Sequence, residues 1–372
     1  MGFAAYLTII AQPIIIRNLT NDYRTIGMAF GLGAISYTVS SYFLSGLSDR
    51  FGRIRGLLLG LSIVSLSNAL VSLRLSVPAL YVYNVTASVG LAFFFTAMEG
   101  LVSEQVAHGR ALAWRVALYN FSWSSGDLLG VIAGSQITAR LTSGTFPVAS
   151  LVALFSIAVV LSRNRKEPQH SSVHQMDFPD DTNTRFFARI SRWGVLLTNT
   201  AGAAILSLFP KYLLDLGVSV ERLGFLIAMW LVTATVTYLV LGKWEGWHFN
   251  YRLHLAMASI PIGGSALLLL GKSFWSFAPG MALFGLGFAC SYTFSLYYSL
   301  RLPVQKSRHA GIHEAFLGFG GFAGPLLGGI LAQAYGGRVL FLGTLAIGVL
   351  SLVLQGVLMA ARLASASRTA TD

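Results

Sequence analysis

The chain has 372 residues, of which 55% are hydrophobic and only 11% charged, and its formal net charge is +12. With a mean hydropathy of +0.66 it is too apolar for a water-soluble globular domain, and the composition is that of a polytopic membrane protein. A single cysteine, Cys290, excludes a disulfide framework within the chain.

Runs of roughly 20 apolar residues, the length that crosses a bilayer core, recur along the whole sequence. Twelve spans are expected, at 1–19, 25–46, 56–73, 79–102, 115–138, 146–162, 194–214, 222–242, 255–271, 276–299, 314–335 and 339–360. They are continuous, unlike the alternating ten-residue segments of an outer-membrane barrel, so helices are predicted. The first span opens at Met1 with no basic segment ahead of it, which argues against a cleaved signal peptide. A start a few codons upstream is the other expectation for so short a first helix.

After the second span, residues 46–55 read GLSDRFGRIR. This loop resembles the signature between the second and third helices of the major facilitator superfamily, Gly-x-x-x-Asp-Arg-x-Gly-Arg-x-Arg/Lys. The positions from the aspartate on are filled, by Asp49, Arg50, Gly52, Arg53 and Arg55, and Gly46 stands one residue nearer the aspartate than the pattern's first glycine, whose place Ser45 takes. Gly46 allows a close helix approach and Gly52 a tight turn. The resemblance implies that Asp49 latches the two halves together near the start of the eleventh helix, where an acid is favoured by the helix dipole. It also implies that Glu104 and Arg110, in the loop after the fourth span, form a charge network with Arg53. A set of solvated loop charges is the plain alternative. The mate loop in the second half keeps only Gly242 and Glu245 of the pattern.

The resemblance further implies that the first, fourth, seventh and tenth helices line a central cavity, to which Gln12, Asn84, Phe95, Asn199 and Tyr292 are assigned. Antiporters of the family often carry the pattern Arg-x-x-Gln-Gly-x-Gly in the fourth helix. Here the corresponding positions read Asn84, Ala87, Ser88 and Gly90, so the arginine is missing. Toward the end of the same span stands Glu99, read either as a proton or cation site or as a snorkelling partner of Arg110 or Arg115.

In the fifth span, Asn120, Ser124 and Asp127 share one face at 100° per residue. An acid at the centre of a span costs ~2.5–3.5 kcal/mol on insertion scales and marks function by default. Withdrawal from water favours the neutral form of a carboxyl, so Asp127 is expected to exchange a proton as the cavity wets and dries. A permanently hydrogen-bonded structural acid is the equal alternative. Glu314 is read as a charge at the start of the eleventh helix.

Residues 163–192, the longest polar stretch, are expected to be a cytoplasmic linker between one bundle at 1–162 and another at 193–361, with a disordered tail at 362–372. The second half repeats the first. At an offset of about 197, Pro13 falls on Pro210 and Gly27 on Gly224; at 198, Gly126 falls on Gly324 and Gly130 on Gly328, with Pro325 where Asp127 stands. The run from Gly320 to Gly329 fits the family's antiporter glycine-proline motif, but in the eleventh helix and not the fifth. Gly126, Gly130, Gly320, Gly324, Pro325, Gly328 and Gly329 are expected to let helices of the two halves pack closely. His309 and His313, four apart in a basic loop, are not expected to bind metal.

With the N-terminus inside, eighteen of the 26 Lys and Arg residues fall on the cytoplasmic side. The net charge therefore reflects topology and anionic lipid, not nucleic acid. Trp193, Trp244, Trp247 and Trp275 fall at span ends, as an aromatic belt predicts.

The sequence thus predicts an all-α membrane protein with twelve transmembrane helices in two pseudo-symmetric six-helix bundles. It is expected to be no enzyme and to need no cofactor or metal. The expected function is secondary active transport of a small organic solute by alternating access, as a monomer in the inner (plasma) membrane, with both termini cytoplasmic. Proton-coupled export is the leading reading and proton-coupled import or uniport the alternative. A non-transporting membrane sensor or assembly partner is the alternative of another class, against which the loop at 46–55 argues.

Overall fold

The computed structural model describes residues 1–103, 109–163, 182–302 and 306–369. Its elements are α1 (Gly2–Thr20), α2 (Tyr23–Phe51), α3 (Arg53–Leu73), α4 (Val77–Ser103), α5 (Gly109–Arg140), α6 (Thr145–Arg163), α7 (Thr182–Asp215), α8 (Val220–Lys243), α9 (Tyr251–Leu270), α10 (Phe274–Arg301), α11 (Lys306–Tyr335) and α12 (Val339–Thr369). No strand occurs among the described residues. We call the membrane face where the even-numbered helices end the near face and the other the far face.

Short turns carry the chain from helix to helix. Asn21 closes α1 in the left-handed region at φ 52°, and Asp22 caps α2 by accepting from the backbone N–H of Arg24 and Thr25 at 3.1 and 3.2 Å. Gly52 alone separates α2 from α3, at φ 93° and ψ 131°, a conformation that a side chain would strain.

Within the first six helices α4 packs on α2 and α3, and α1 on α5; in the last six, α10 packs on α8 and α9, and α7 on α11. The halves meet where α2 lies along α11 and α5 along α8. Those two pairs exchange under the internal duplication, so the halves are related by a pseudo-two-fold. Among the described residues ten helices are apolar and long enough to cross a membrane, and α2 and α5 are not among them. Both pack one face along the opposite half, where polar residues are tolerated, and expose apolar residues such as Phe43 and Leu129 on the other.

The glycine pattern divides differently from the expectation. Gly126 and Gly130 of α5 meet the backbone of Phe3 on α1, while Gly320 and Gly324 of α11 meet Leu196 and Thr200 on α7. Gly328 likewise faces Leu208 and Ala204 of α7. These residues tighten contacts within each half. Only Pro325 and Gly329 of the set face the other half, where they meet Gly27 and Tyr23 of α2.

Several helices run past the expected spans at the near face, because their outer turns are amphipathic and fall below an apolar window. α7 starts at Thr182, inside the stretch expected as linker, and buries Phe186, Phe187, Ile190 and Ser191. α11 starts at Lys306, two turns before the expected 314, so His309 and His313 lie in a helix and not in a loop. α12 continues to Thr369 through most of the expected disordered tail. Trp247 is no belt residue: it is buried, donates to the Leu241 carbonyl at 2.9 Å and stacks on Phe294 at 4.8 Å.

A methyl group at Gly324 would fall on the Thr200 carbonyl, whereas one at Gly343 of α12 would meet nothing within 4 Å. Overpacking costs about 1–3 kcal/mol. Gly324→Ala is therefore expected to lower the Tm in detergent, and Gly343→Ala to leave it unchanged or raise it.

Candidate functional site

Between the halves lies a cavity of about 350 Å³, within the size range of small-molecule sites. It is lined from α1, α4, α7 and α10, as expected, and also from α2, α3, α5, α8 and α11. The structure places Gln12, Asn84, Phe95, Asn199, Tyr292 and Asp127 on its wall. Much of the remaining wall is aromatic or aliphatic, from residues such as Tyr6, Phe30, Trp123, Trp230, Leu231 and Phe288.

The polar groups on the wall are largely engaged with one another. Asn84 donates to Gln12 Oε1 at 2.6 Å and to the Leu80 carbonyl at 2.8 Å. Tyr83 donates to Thr8 Oγ1 at 2.9 Å, and Asn199 to the Leu317 carbonyl at 2.6 Å. A ligand that replaces these internal bonds does so at small net cost, since each exchange keeps the number of hydrogen bonds.

The polar stripe of α5 turns toward the second half. Ser124 Oγ lies 2.6 Å from Thr235 Oγ1 of α8, and Asn120 Nδ2 is 3.4 Å from Thr293 Oγ1 of α10. One turn on, Asp127 is 3% exposed and forms part of the cavity wall. Trp123, beside this stripe, packs on Tyr238 and Tyr292, with ring centroids 5.6 and 5.5 Å away.

Glu314 is not the helix-start charge that the sequence suggested. It lies two turns into α11, is 2% exposed and accepts from the Tyr37 hydroxyl of α2 at 2.6 Å. Glu99 does not snorkel: it is also 2% exposed and its carboxyl approaches that of Glu314 across the boundary between halves. The window that began the eleventh span at residue 314 hid this placement, because the polar turns before it carry no apolar signal.

A second cross-half cluster at the far-face ends of α1 and α7 was not anticipated at all. Asp215 Oδ1 accepts from Arg17 Nε at 3.0 Å, and its Oδ2 lies 2.8 Å from Lys211 Nζ and 3.3 Å from the Tyr23 hydroxyl. Lys211, itself buried, also donates to Asn21 Oδ1 at 2.6 Å. The i,i+4 spacing of Lys211 and Asp215 is visible in the sequence, but their partners on α1 and α2 lie about 190 residues away and have no local signal.

Of the expected latch, Gly52 forms the α2–α3 turn, Arg53 is partly buried and Arg55 is exposed. Glu104 lies outside the described residues, as do the side-chain surroundings of Gly46, Asp49, Arg50 and Arg110.

The profile of the Major Facilitator Superfamily matches residues 1–303 and, again, 194–370. Multidrug resistance protein 2 of Bacillus subtilis is 24% identical over 347 residues, covering 87% of this chain and 84% of that protein. Multidrug resistance protein MdtG of Citrobacter koseri is 25% identical over 335 residues, covering 85% and 80%. The fold is similar to that of the human organic anion transporter MFSD10, with a TM-score of 0.68 at 13% identity over 95% of this chain and 97% of the other. It is also similar to the nucleoside transporter NupG, with 0.67 at 11% over 96% and 98%.

Removing the charge of Asp215 leaves Lys211 buried without its carboxylate, a costly state for an ammonium group. In a Cys290→Ala background, a cysteine replacing Ala203 on the cavity wall reports on access. Asp215→Asn is expected to speed its maleimide labelling in nanodiscs by at least about tenfold, the factor that corresponds to ~1.4 kcal/mol.

Proposed function

Because the chain belongs to the Major Facilitator Superfamily and is a multi-pass membrane transporter, not an enzyme, we propose that it exports a small amphipathic organic solute by proton antiport. The observation that carries this reading is Asp127, a carboxyl on the wall of the cavity between the halves. An acid there is costly when dry and charged. It gains a proton or a positively polarised solute when the cavity is occupied, and it loses the proton when the cavity wets. Competition between proton and solute for one acid links the two fluxes.

The direction is supported by the relatives, which are named multidrug resistance proteins. The apolar and aromatic wall suits an amphipathic solute better than a highly charged one. The near face is assigned to the cytoplasm on the placement of Lys and Arg in the loops, with the protein in the inner membrane as a monomer. The gate assigned to Asp49, Arg53, Glu104 and Arg110 closes that side in this reading, and Gln12, Asn84, Asn199, Phe95 and Tyr292 contact the solute.

In proteoliposomes, adding substrate is expected to drive a proton flux opposite to the solute. Asp127→Asn is expected to abolish that flux while leaving passive solute exchange. Undiminished substrate-driven proton flux in the variant would remove Asp127 from the coupling role. Solute flux in the parent that is indifferent to the proton gradient would favour uniport.

A further inference from the structure

Tyr37 and Glu314 stand on the cavity wall that also carries Asp127, Glu99 lies behind it, and none of the three has a part in the role given to Asp127. Glu99 stands four residues from the near-face end of α4, in the first half, and Glu314 near the near-face end of α11, in the second. Both are buried to 2% exposure. Tyr37 donates to Glu314 Oε2 at 2.6 Å, across the halves. Neither carboxyl oxygen of Glu99 meets a donor among the described residues, although the group approaches Glu314. A buried acid with both oxygens orphaned is costly. One added proton resolves the arrangement: a protonated Glu99 donates to the Glu314 carboxylate, which also accepts from Tyr37.

The other groups facing the pair do not supply that donor. They are Tyr119 on α5, Tyr292 on α10 and His313 on α11, with Asp127 farther along α5. His313 Nε2 lies 3.9 Å from Glu314 Oε1, beyond hydrogen-bond range, while its Nδ1 is 2.8 Å from Ser295 Oγ. Arg192 of α7 stands behind His313 and is held by Ser299 and His309. An orphaned carboxyl beside one that already accepts from a phenol lacks one donor, which a single proton supplies, whereas a hard cation takes about six oxygen ligands.

We propose that Glu99, Tyr37 and Glu314 form a proton-binding site whose occupancy holds the near-face ends of the two halves together, and that release of the proton opens this side. When the proton leaves for water at the near face, two like charges face each other with one phenol between them. Repulsion then acts between α4 and α11, on opposite sides of the boundary that has to part. The site is distinct from Asp127. It rests on the alternating-access reading but not on Asp127 as the coupling acid.

The test uses the full-length protein in nanodiscs without substrate, in a Cys290→Ala background, with spin labels at Ser162→Cys on α6 and Leu363→Cys on α12. The distance between labels is followed from acid to alkaline pH. The parent is expected to shift to longer distances as pH rises. Glu99→Gln and Glu314→Gln, which keep a donor without a second charge, are expected to lose the shift and stay short. Asp127→Asn is expected to keep it, so this test stands or falls apart from the flux experiment. Tyr37→Phe weakens only the closed form and is expected to retain the shift with its midpoint at lower pH; it carries the test if a Gln variant does not fold. A parent distance that ignores pH, Gln variants that keep the parental shift, or a Tyr37→Phe midpoint that does not move would each overturn the proposal. A shift driven by added sodium at fixed pH would overturn the assignment to a proton.

Discussion

In a transporter, the contact between the two halves has to be close enough to exclude water and weak enough to part, and the rest of this structure is arranged around that requirement. Burying apolar surface between helices gains little when lipid is equally apolar, so packing distance and a few polar contacts decide the association. Along α2 and α11 the distance is set by Gly27 against Pro325 and Gly329 against Tyr23. Specificity comes from single hydrogen bonds such as Ser124 to Thr235 and Tyr37 to Glu314. Bonds of this kind average ~0.6 kcal/mol in membrane proteins, so the seam is held by many small terms. Inside the second half the packing is of another kind, with broad aromatic contacts such as Trp247 on Phe294 and Phe187 on Tyr251.

The seam has a different chemistry at each end. At the far face the Arg17–Asp215–Lys211 cluster joins groups of opposite sign. At the near face two groups of the same kind are joined, and their contact exists only in one state of protonation. Partly exposed ion pairs are screened by salt, whereas the buried acids are shielded from it. The two closures are therefore governed by different solution variables, although the helices that carry them are related by an internal duplication.

The fold was legible because its signals are local and repeated: long apolar runs, matching prolines at 13 and 210, and a glycine pattern that recurs at 126 and 324. The candidate cavity residues were legible because polar side chains inside spans are rare, and Gln12, Asn84 and Asp127 stood out against an apolar background. Glu314 was misplaced because hydropathy locates the membrane portion of a helix and not its end; the amphipathic turns from Lys306 onward made an interior residue look terminal. Pairings such as Arg17 with Asp215 or Glu99 with Glu314 join residues about 200 positions apart, and no spacing rule in a single sequence encodes them. The glycines other than Gly329 were assigned to the wrong neighbours, since a small residue announces a close approach without saying which helix approaches.

The cavity of about 350 Å³ has a consequence for which molecules complete a cycle. In the proposed cycle it lies between one closure built on Asp215 and another built around Glu314 on its own wall, and alternating access requires each to form while the other parts. A solute that fills the space and no more is enclosed and carried through. A bulkier one binds to the same aromatic wall and props the seam apart. Size is thus judged at the moment of closing, so an oversized ligand acts as a wedge: it is bound, it is not moved, and it arrests the protein in the half-open form.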